Sequence, residues 1–264
     1  MPFTFFAHQT IVMPFKWLKP RWFDGTALCI GSMAPDFAYA LDHTPLSFHS
    51  HNIPAQVVWT IPLTLLLTRL IRTRLAEPIG AQLPGSLGAE VKALGHSKHA
   101  LWQTVSSAFL GGLSHIFLDG FTHYNGWAAR RIAPLRHIVG HIAGYDIPVS
   151  AVLQYVGHTF GTALGVLMLA RIVQRRMITH WNELPNLPVE AQVMAPVRLW
   201  NTRAWLAGLA CGLVAAASGP NIPVAIIRGS LTLFAAIALA SVLNPHARVA
   251  EEARVTPQAR SGLQ

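Results

Sequence analysis

Long apolar runs separated by polar stretches dominate this chain and predict helices. Five runs are apolar enough to be candidate transmembrane segments, and they occupy residues 56–71, 101–118, 150–173, 203–219 and 222–243. A helix that crosses a bilayer needs roughly 20 residues, so the third and fifth runs suffice and the others are short or tilted. The turn residues 218–221 (SGPN) separate the last two runs and predict a C-terminal hairpin.

The remaining segments are shorter or more polar. Residues 26–41 form a brief apolar run that contains Asp36, and we expect a half-buried or re-entrant segment there. Residues 75–99 are rich in proline, glycine and charge, which predicts a loop. The resulting expectation is an all-α, multi-pass membrane helical bundle with about five transmembrane helices. Its predicted divisions are a membrane domain at 1–173, a loop at 174–202, the hairpin at 203–243 and a disordered tail at 244–264.

The composition agrees with a membrane protein. Hydrophobic residues make up 52% of the chain and charged residues only 12%, which is about half the charged share of a typical soluble domain. The net charge of +9 raises the question of nucleic-acid binding. However, the basic residues collect at the ends of apolar runs instead of alternating with aromatic residues in one patch. We therefore expect membrane lipid, and no nucleic acid, as a partner.

The distribution of basic residues predicts an orientation. Of the 20 lysines and arginines, 13 lie in residues 69–98, 171–203 and 244–264. Loops with an excess of positive charge face the cytoplasm in most membrane proteins. This assignment puts residues 1–55 and the stretch after residue 119 together at the outer face of the membrane.

One apolar run carries an unusual polar stripe. In GGLSHIFLDGFTHYNGW (111–127), the ionisable residues His115, Asp119 and His123 are spaced four apart. Such positions share one face of a helix, provided that the helix continues through Gly120. Ionisable groups at membrane depth are costly and mark functional sites. Imidazole and carboxylate together are typical zinc ligands, so the stripe predicts one wall of a metal site.

A single helix cannot close such a site, and the chain offers further ligands on the same predicted side of the membrane. They are His8 in the N-terminal segment, Asp36 after GSMAP, and His49 and His51 in SFHSHN. Each alone is as well explained by a hydrogen-bonded structural residue. Their convergence on one membrane face favours a shared site.

Four short motifs occur in order along the chain: MPFTFFAH (1–8), GSMAPDF (31–37), the Ser50-His51 pair, and LSHIFLDGFTH followed by Gly126-Trp127. With these motifs the chain resembles a bacterial family of small integral membrane proteins of unknown function, over about the first 170 residues. That family is similar in turn to membrane-bound metal-dependent hydrolases. Both share with the zinc-dependent phospholipase C group the order His, Pro-Asp, His and His-x-x-x-Asp.

The resemblance implies a phospholipase-C-like helical core, a location in the bacterial inner membrane, and a set of metal ligands. The implied ligands are His8, Asp36, His51, His115, Asp119 and His123, with His49 in reserve. Asp36 and Asp119 are the implied catalytic carboxylates. The expected cofactor is zinc, as one or two ions, although manganese or iron accepts the same ligands.

Two metal ions that share an aspartate suit phosphoester hydrolysis. The expected function is therefore hydrolysis of a phosphoester in a lipid or another amphiphile. Arg130, Arg131 and Arg136 follow the stripe and are candidate phosphate ligands, although anchoring to anionic lipid explains them equally well. Two other functions stay open: a metal or proton transporter, and a non-catalytic scaffold with a structural metal site.

Overall fold

The computed structural model describes residues 6–142, 144–184 and 195–243, and the side chains of these residues except 195–201. The chain is mostly helical. Its α-helices are α1 (Ala7–Leu18), α2 (Gly25–Gly31), α3 (Ala34–Phe37), α4 (Ile53–Ala55), α5 (Ile61–Leu70), α6 (Ala76–Gly80), α7 (Gly85–Leu94), α8 (Leu101–Thr122), α9 (Val149–Gln174), α10 (Met177–Trp181), α11 (Ala195–Ala217) and α12 (Ile222–Val242). Short 3-10 turns lie at Ala38–Leu41 and Ala133–Arg136.

Helices α4, α5 and α6 form one continuous helix, Ile53–Gly80, which we call the long helix. Two π-helical turns, Gln56–Thr60 and Ile71–Leu75, join its three parts. Asn52 caps its start, because the Asn52 side chain accepts a hydrogen bond from the backbone N–H of Ala55 at 2.8 Å. The cap fixes where the chain turns from the histidine-bearing loop into the long helix.

Three helices of the described chain are long and apolar enough to cross a membrane: the long helix, α9 and α12. Helix α11 contains only a shorter apolar stretch, Thr202–Ala217. Helix α8, where the apolar pattern predicts another span, does not reach the same combined length and hydropathy. The molecule is thus compatible with a membrane protein, and these three helices are the best candidates for spans.

The observed elements differ from the sequence predictions in two respects: the predicted loops contain helices, and a β-hairpin is present. Helices α6 and α7 lie within 75–99, and α10 and the start of α11 lie within 174–202. A β-hairpin, β1 (Ile138–Ile142) paired antiparallel with β2 (Tyr145–Pro148), departs from an all-α fold. Gly144 adopts φ +83° in its turn, a conformation that suits glycine. The predicted tail at 244–264 and the loop residues 185–194 lie outside the described residues.

Close packing between helices explains how the core forms. Helix α2 lies directly on α8, because Gly31 approaches the Ala108 backbone and Gly111 approaches the Leu28 carbonyl. On the next face of α8, a Cβ atom on Gly112 would overlap the Gln56 amide of the long helix. Gly111 and Gly112 therefore allow two neighbouring helices to pack closely on α8.

An arginine of the C-terminal hairpin binds the segment that follows Asp36. Helices α11 and α12 pack on each other at Gly212 and Gly229. From α12, the Arg228 guanidinium donates hydrogen bonds to the Ala40 carbonyl at 3.1 Å and the Asp42 carbonyl at 2.8 Å. Arg228 therefore ties the hairpin to the 3-10 turn that follows Asp36.

Candidate metal centre

Helix α8 supplies two of the side chains at the centre. The helix continues through Gly120 to Thr122, so His115 and Asp119 lie one turn apart on the same face. His115 Nε2 is 3.3 Å from Asp119 Oδ2. The stripe ends sooner than the four-residue spacing predicts, because His123 is the C-cap of the helix and has an extended backbone.

Two further ligand atoms arrive from the segment between α2 and the long helix. Asp36 lies in α3, which begins at Ala34-Pro35, and His51 lies just before the Asn52 cap. Ser50 fastens the two together, since its hydroxyl donates to the Pro35 carbonyl at 2.8 Å. The Trp59 indole donates to the Ala34 carbonyl at 2.9 Å and holds α3 against the long helix.

Four ligand atoms converge on a small space, and five of the six distances between them are 3.2–3.4 Å. They belong to four buried or half-buried residues, which we call the metal group: Asp36, His51, His115 and Asp119. All four atoms lie within 4.8 Å of one another. His51 Nε2 is 3.2 Å from Asp36 Oδ1, 3.4 Å from Asp119 Oδ2 and 3.2 Å from His115 Nε2. His115 Nε2 is 3.3 Å from each of the two carboxylate oxygens. A regular tetrahedron with edges of this length has its centre about 2.0 Å from each corner, which is the length of a zinc–nitrogen or zinc–oxygen bond.

The hydrogen bonds behind the two imidazoles decide which ring nitrogen faces the centre. His115 Nδ1 is 2.8 Å from the Ser32 carbonyl, an acceptor only, so this nitrogen carries the hydrogen. The Ser50 hydroxyl donates its hydrogen to the Pro35 carbonyl, so its oxygen accepts a hydrogen bond from His51 Nδ1 at 3.0 Å. In both rings Nε2 therefore points into the group, where its lone pair can bind an ion in place of a proton. Such outer partners are typical of histidines that bind metal.

The charges of the group also suit a cation. Burial alone would raise the pKa of Asp36, but the imidazoles of His115 and His51 hold the pKa of this carboxyl well below its usual range. Asp36 is therefore ionised at neutral pH. Burial would lower the pKa of His115, but the Asp36 and Asp119 carboxylates raise it well above its usual range, so His115 carries a proton in the ion-free group. A metal ion would replace this proton and neutralise the buried carboxylates. The residues present fit a metal ion in both geometry and charge.

The second oxygen of Asp119 faces another pair of histidines. Asp119 Oδ1 lies 3.7 Å from His123 Nδ1 and 4.0 Å from His8 Nε2. The His8 ring stacks on His115 at a centroid distance of 4.1 Å, and neither of its nitrogens has a hydrogen-bond partner among the described residues. Burial, with a smaller contribution from His115, lowers the pKa of His8 to about 3, so the ring is neutral. Asp119 is thus positioned between two groups of imidazoles.

The sequence of this chain matches one family model over most of its length. The model, described as a domain of unknown function, DUF4184, matches residues 1–245. The chain belongs to the DUF4184 family. No curated protein and no solved structure matches it. Membership in DUF4184 agrees with the resemblance to an uncharacterised family and carries no activity with it.

The other residues of this DUF4184 protein that the sequence predicts for the site lie apart from the metal group. His49 is exposed, and its ring centre is 6.4 Å from that of His51. Arg130, Arg131 and Arg136 are exposed on the segment after His123. Arg131 donates to the Trp127 carbonyl at 3.3 Å, and the Arg136 guanidinium lies 4.2 Å from the centre of the Tyr124 ring. A role for the three arginines in binding phosphate stays a prediction.

Several residues of the site in this DUF4184 protein escape sequence reasoning. The Tyr39 ring lies 5.6 Å from the His51 ring, and burial and the Asp36 and Asp119 charges raise its pKa, so the phenol stays protonated. Gln154 of α9 lies 3.2 Å from His123 Nε2 through its amide nitrogen. No spacing in the sequence links Tyr39 or Gln154 to the histidines. The sequence does contain one indication of the hydrogen-bond partner of His51, because Ser50 precedes it in the Ser50-His51 motif.

Proposed function

We propose that this protein is a membrane-embedded, metal-dependent hydrolase that acts on a phosphoester of a lipid or another amphiphile. The observation that carries the proposal is the pair of Nε2 atoms converging with two carboxylate oxygens at 3.2–3.4 Å. Zinc is the proposed ion because two imidazoles and two carboxylates at these distances are ligands it accepts; manganese and iron are the alternatives.

The residues around the group have distinct proposed roles. Asp36, His51, His115 and Asp119 hold the first ion, and Asp119 with His8 and His123 offers a place for a second. When bound, zinc supplies Lewis acidity, which polarises a phosphoryl oxygen and makes water more acidic. Tyr39 keeps a phenolic proton beside the group and can donate a hydrogen bond to a phosphate oxygen.

The position of the group relative to the candidate spans supports a site near one membrane face. Side chains at the start of α1, before the long helix, at the end of α8 and near the start of α9 meet there. Basic residues collect at the opposite ends, with Arg72 and Arg74 near the end of the long helix and Arg171 near the end of α9. The positive-inside rule makes the site face outward across the bacterial inner membrane.

The orientation can be tested with a surface cysteine. Asn125 is exposed next to the site. In a background without Cys29 and Cys211, Asn125→Cys is expected to react with a membrane-impermeant maleimide added to the outer side of inner-membrane spheroplasts. Reaction only after the cells are broken would place the site on the cytoplasmic side.

The hydrolase proposal is tested by turnover of a short-chain phosphatidylcholine and of bis-p-nitrophenyl phosphate in detergent, with zinc supplied. Asp36→Asn is expected to abolish turnover while the protein still inserts into the membrane. Tyr39→Phe is expected to keep bound metal and lose about a hundredfold in kcat, the usual effect of removing one positioned hydrogen-bond donor. A metal-loaded wild-type protein that hydrolyses neither compound would contradict a phosphoesterase.

A transporter is the second candidate, and one specific observation favours it. Four buried polar residues on the long helix are spaced four apart, and their side-chain polar atoms have no hydrogen-bond partner in the described chain: Gln56, Thr60, Thr64 and Thr68. The next position in the series, Arg72, binds Asp24 at 2.6 Å. The series starts next to the metal group and extends about 24 Å along the helix. Buried polar groups of this kind usually bind water, so the stripe would suit a hydrated proton or ion path.

Flux in proteoliposomes decides between the two candidates. A transporter would move protons or zinc across the vesicle membrane, and Thr64→Val would reduce that flux. Thr73→Val is the matched control, because Thr73 is exposed on the same helix and donates to the Arg69 carbonyl. Hydrolysis without flux supports the enzyme, and flux without hydrolysis supports the transporter.

A further inference from the structure

A cavity of about 460 Å³ lies on the side of α1 away from the metal group. This volume falls in the range of pockets that bind drug-sized molecules. Its wall is built mainly from apolar side chains, including Met13, Ile30, Met168, Ile172 and Phe234. All three candidate membrane spans contribute to that wall: the long helix through Ile71, α9 and α12. An occupant must therefore be largely hydrocarbon.

Most polar groups at one end of the cavity already have protein partners. The Lys16 ammonium donates to the carbonyls of Pro20 at 2.7 Å and Phe23 at 2.9 Å, and lies 3.3 Å from His99 Nε2. Asp24 accepts hydrogen bonds from Thr104 and Arg72. These groups close the polar end and leave little hydrogen-bonding capacity for a ligand.

Gln9 is different. Its side chain lines the cavity and the residue is only 8% exposed, yet neither atom of its amide has a hydrogen-bond partner among the described residues. A buried polar group without a partner is destabilising. A ligand that brings a carbonyl group to this amide would remove that cost.

We infer that this cavity binds the acyl chain of a membrane lipid, with the carbonyl of its ester linkage hydrogen-bonded to the Gln9 amide. Along α1, the chain would extend from Gln9 past Met13 towards Lys16, a distance of about 10 Å. The adjacent residue His8 points to the other side of the helix and stacks on His115. The ester end of the lipid thus lies near the start of α1, with the helix between it and the metal group. This lipid site does not require that the bound lipid be hydrolysed.

Photocrosslinking tests the acyl-chain site without requiring turnover. The probe is the methyl ester of palmitic acid with a diazirine on its chain, added to the full-length protein in detergent. Crosslinks are expected on the cavity residues of α1, α2 and α9, and excess unlabelled methyl palmitate should compete them away. Crosslinks confined to the outward faces of α9, α11 and α12 would overturn the proposal.

Two variants and a matched control sharpen the test. Cys29→Phe fills the cavity, since Cys29 lines it, and should lower crosslinking there about tenfold or more. Cys211→Phe adds the same bulk on exposed α11 and should leave cavity crosslinking unchanged. Gln9→Leu, which keeps the size of the side chain, should weaken competition by methyl palmitate about tenfold and leave competition by hexadecane unchanged.

The outcomes separate this site from the hydrolase proposal. Cavity crosslinking that Cys29→Phe abolishes supports the acyl-chain site, even in a protein that hydrolyses nothing. Cavity crosslinking that neither Cys29→Phe nor Gln9→Leu changes would overturn it, even if phosphoesters are hydrolysed.

Discussion

His51 Nε2 and His115 Nε2 face each other across 3.2 Å, although each ring already donates its Nδ1 hydrogen to another residue. Two lone pairs at this distance repel each other unless a proton or a metal ion lies between them. Two carboxylate oxygens complete the same small space. The hydrogen bonds behind the rings therefore leave both Nε2 atoms facing a space that suits a proton or a metal ion.

The hydrogen bond behind His51 gives the first prediction. In Ser50→Ala, His51 loses the acceptor that fixes its tautomer, so the dissociation constant for zinc should rise about tenfold or more. Ser47→Ala is the control, because Ser47 lies on the same segment and its hydroxyl donates to Asp42, away from the imidazoles. Zinc titration of the detergent-purified variants measures the change. Equal affinity in both variants would mean that Ser50 does not orient the ring.

Gln154 sets the state of the outer histidine and gives a second prediction. With the amide nitrogen towards His123 Nε2, the hydrogen of the neutral ring lies on Nδ1, which faces Asp119. A carboxylate at position 154 would instead accept a hydrogen from Nε2 and leave Nδ1 free to bind metal. Gln154→Glu should therefore raise the occupancy of a second ion, whereas Gln154→Met should not. Metal-to-protein ratios after equilibrium dialysis measure the effect, and equal ratios in the two variants would count against a second ion at Asp119.

The sequence predicted the centre of this site better than its surroundings. Spacing alone brings His115 and Asp119 onto one helix face, and the glycines beside them indicate close helix packing. Asp36 and His51 were candidates by residue type, but only the motif resemblance made His51 a ligand and left His49 in reserve. The physical reason for that choice lies in the Ser50 and Asn52 hydrogen bonds that turn the chain, which spacing does not show.

Other features depend on tertiary contacts that no local pattern reveals. The hairpin of Ile138–Ile142 and Tyr145–Pro148 lies in a segment for which the apolar pattern predicts no strand. Helix α10 forms where the sequence predicts a loop, and the buried Glu90 carboxylate accepts hydrogen bonds from the Ile178 and Thr179 backbone near its start. The polar residues from Gln56 to Thr68 have a regular four-residue spacing in the sequence. This spacing is hard to recognise because the residues between them are apolar.

Close packing at Gly112 gives a third prediction. A methyl group on this residue would overlap the Gln56 amide, so Gly112→Ala should cost about 1–3 kcal/mol of stability. Gly157→Ala is the control, because a Cβ atom there meets nothing within 4 Å and alanine favours the helix. Thermal unfolding in detergent is expected to occur at a lower temperature for Gly112→Ala only. Similar midpoints for the two variants would show that α8 and the long helix do not pack as described.

Arg228 gives a fourth prediction about the C-terminal hairpin. Removing its guanidinium leaves the Ala40 and Asp42 carbonyls without this donor and should destabilise the protein by about 1–3 kcal/mol. Arg228→Leu should therefore unfold at a lower temperature than Arg203→Leu, which removes an exposed arginine from α11. If the two variants unfold together, Arg228 does not attach the hairpin to the site.

The most direct test of the metal centre is the metal content of the protein. Elemental analysis of the detergent-purified wild type, supplied with zinc and then desalted, should find one to two ions per chain. His115→Ala should contain less than a tenth of that amount, while His96→Ala, which changes an exposed histidine, should match the wild type. A folded wild-type protein that retains no zinc, manganese or iron, or a His115→Ala variant that retains as much as the wild type, would contradict the proposed centre.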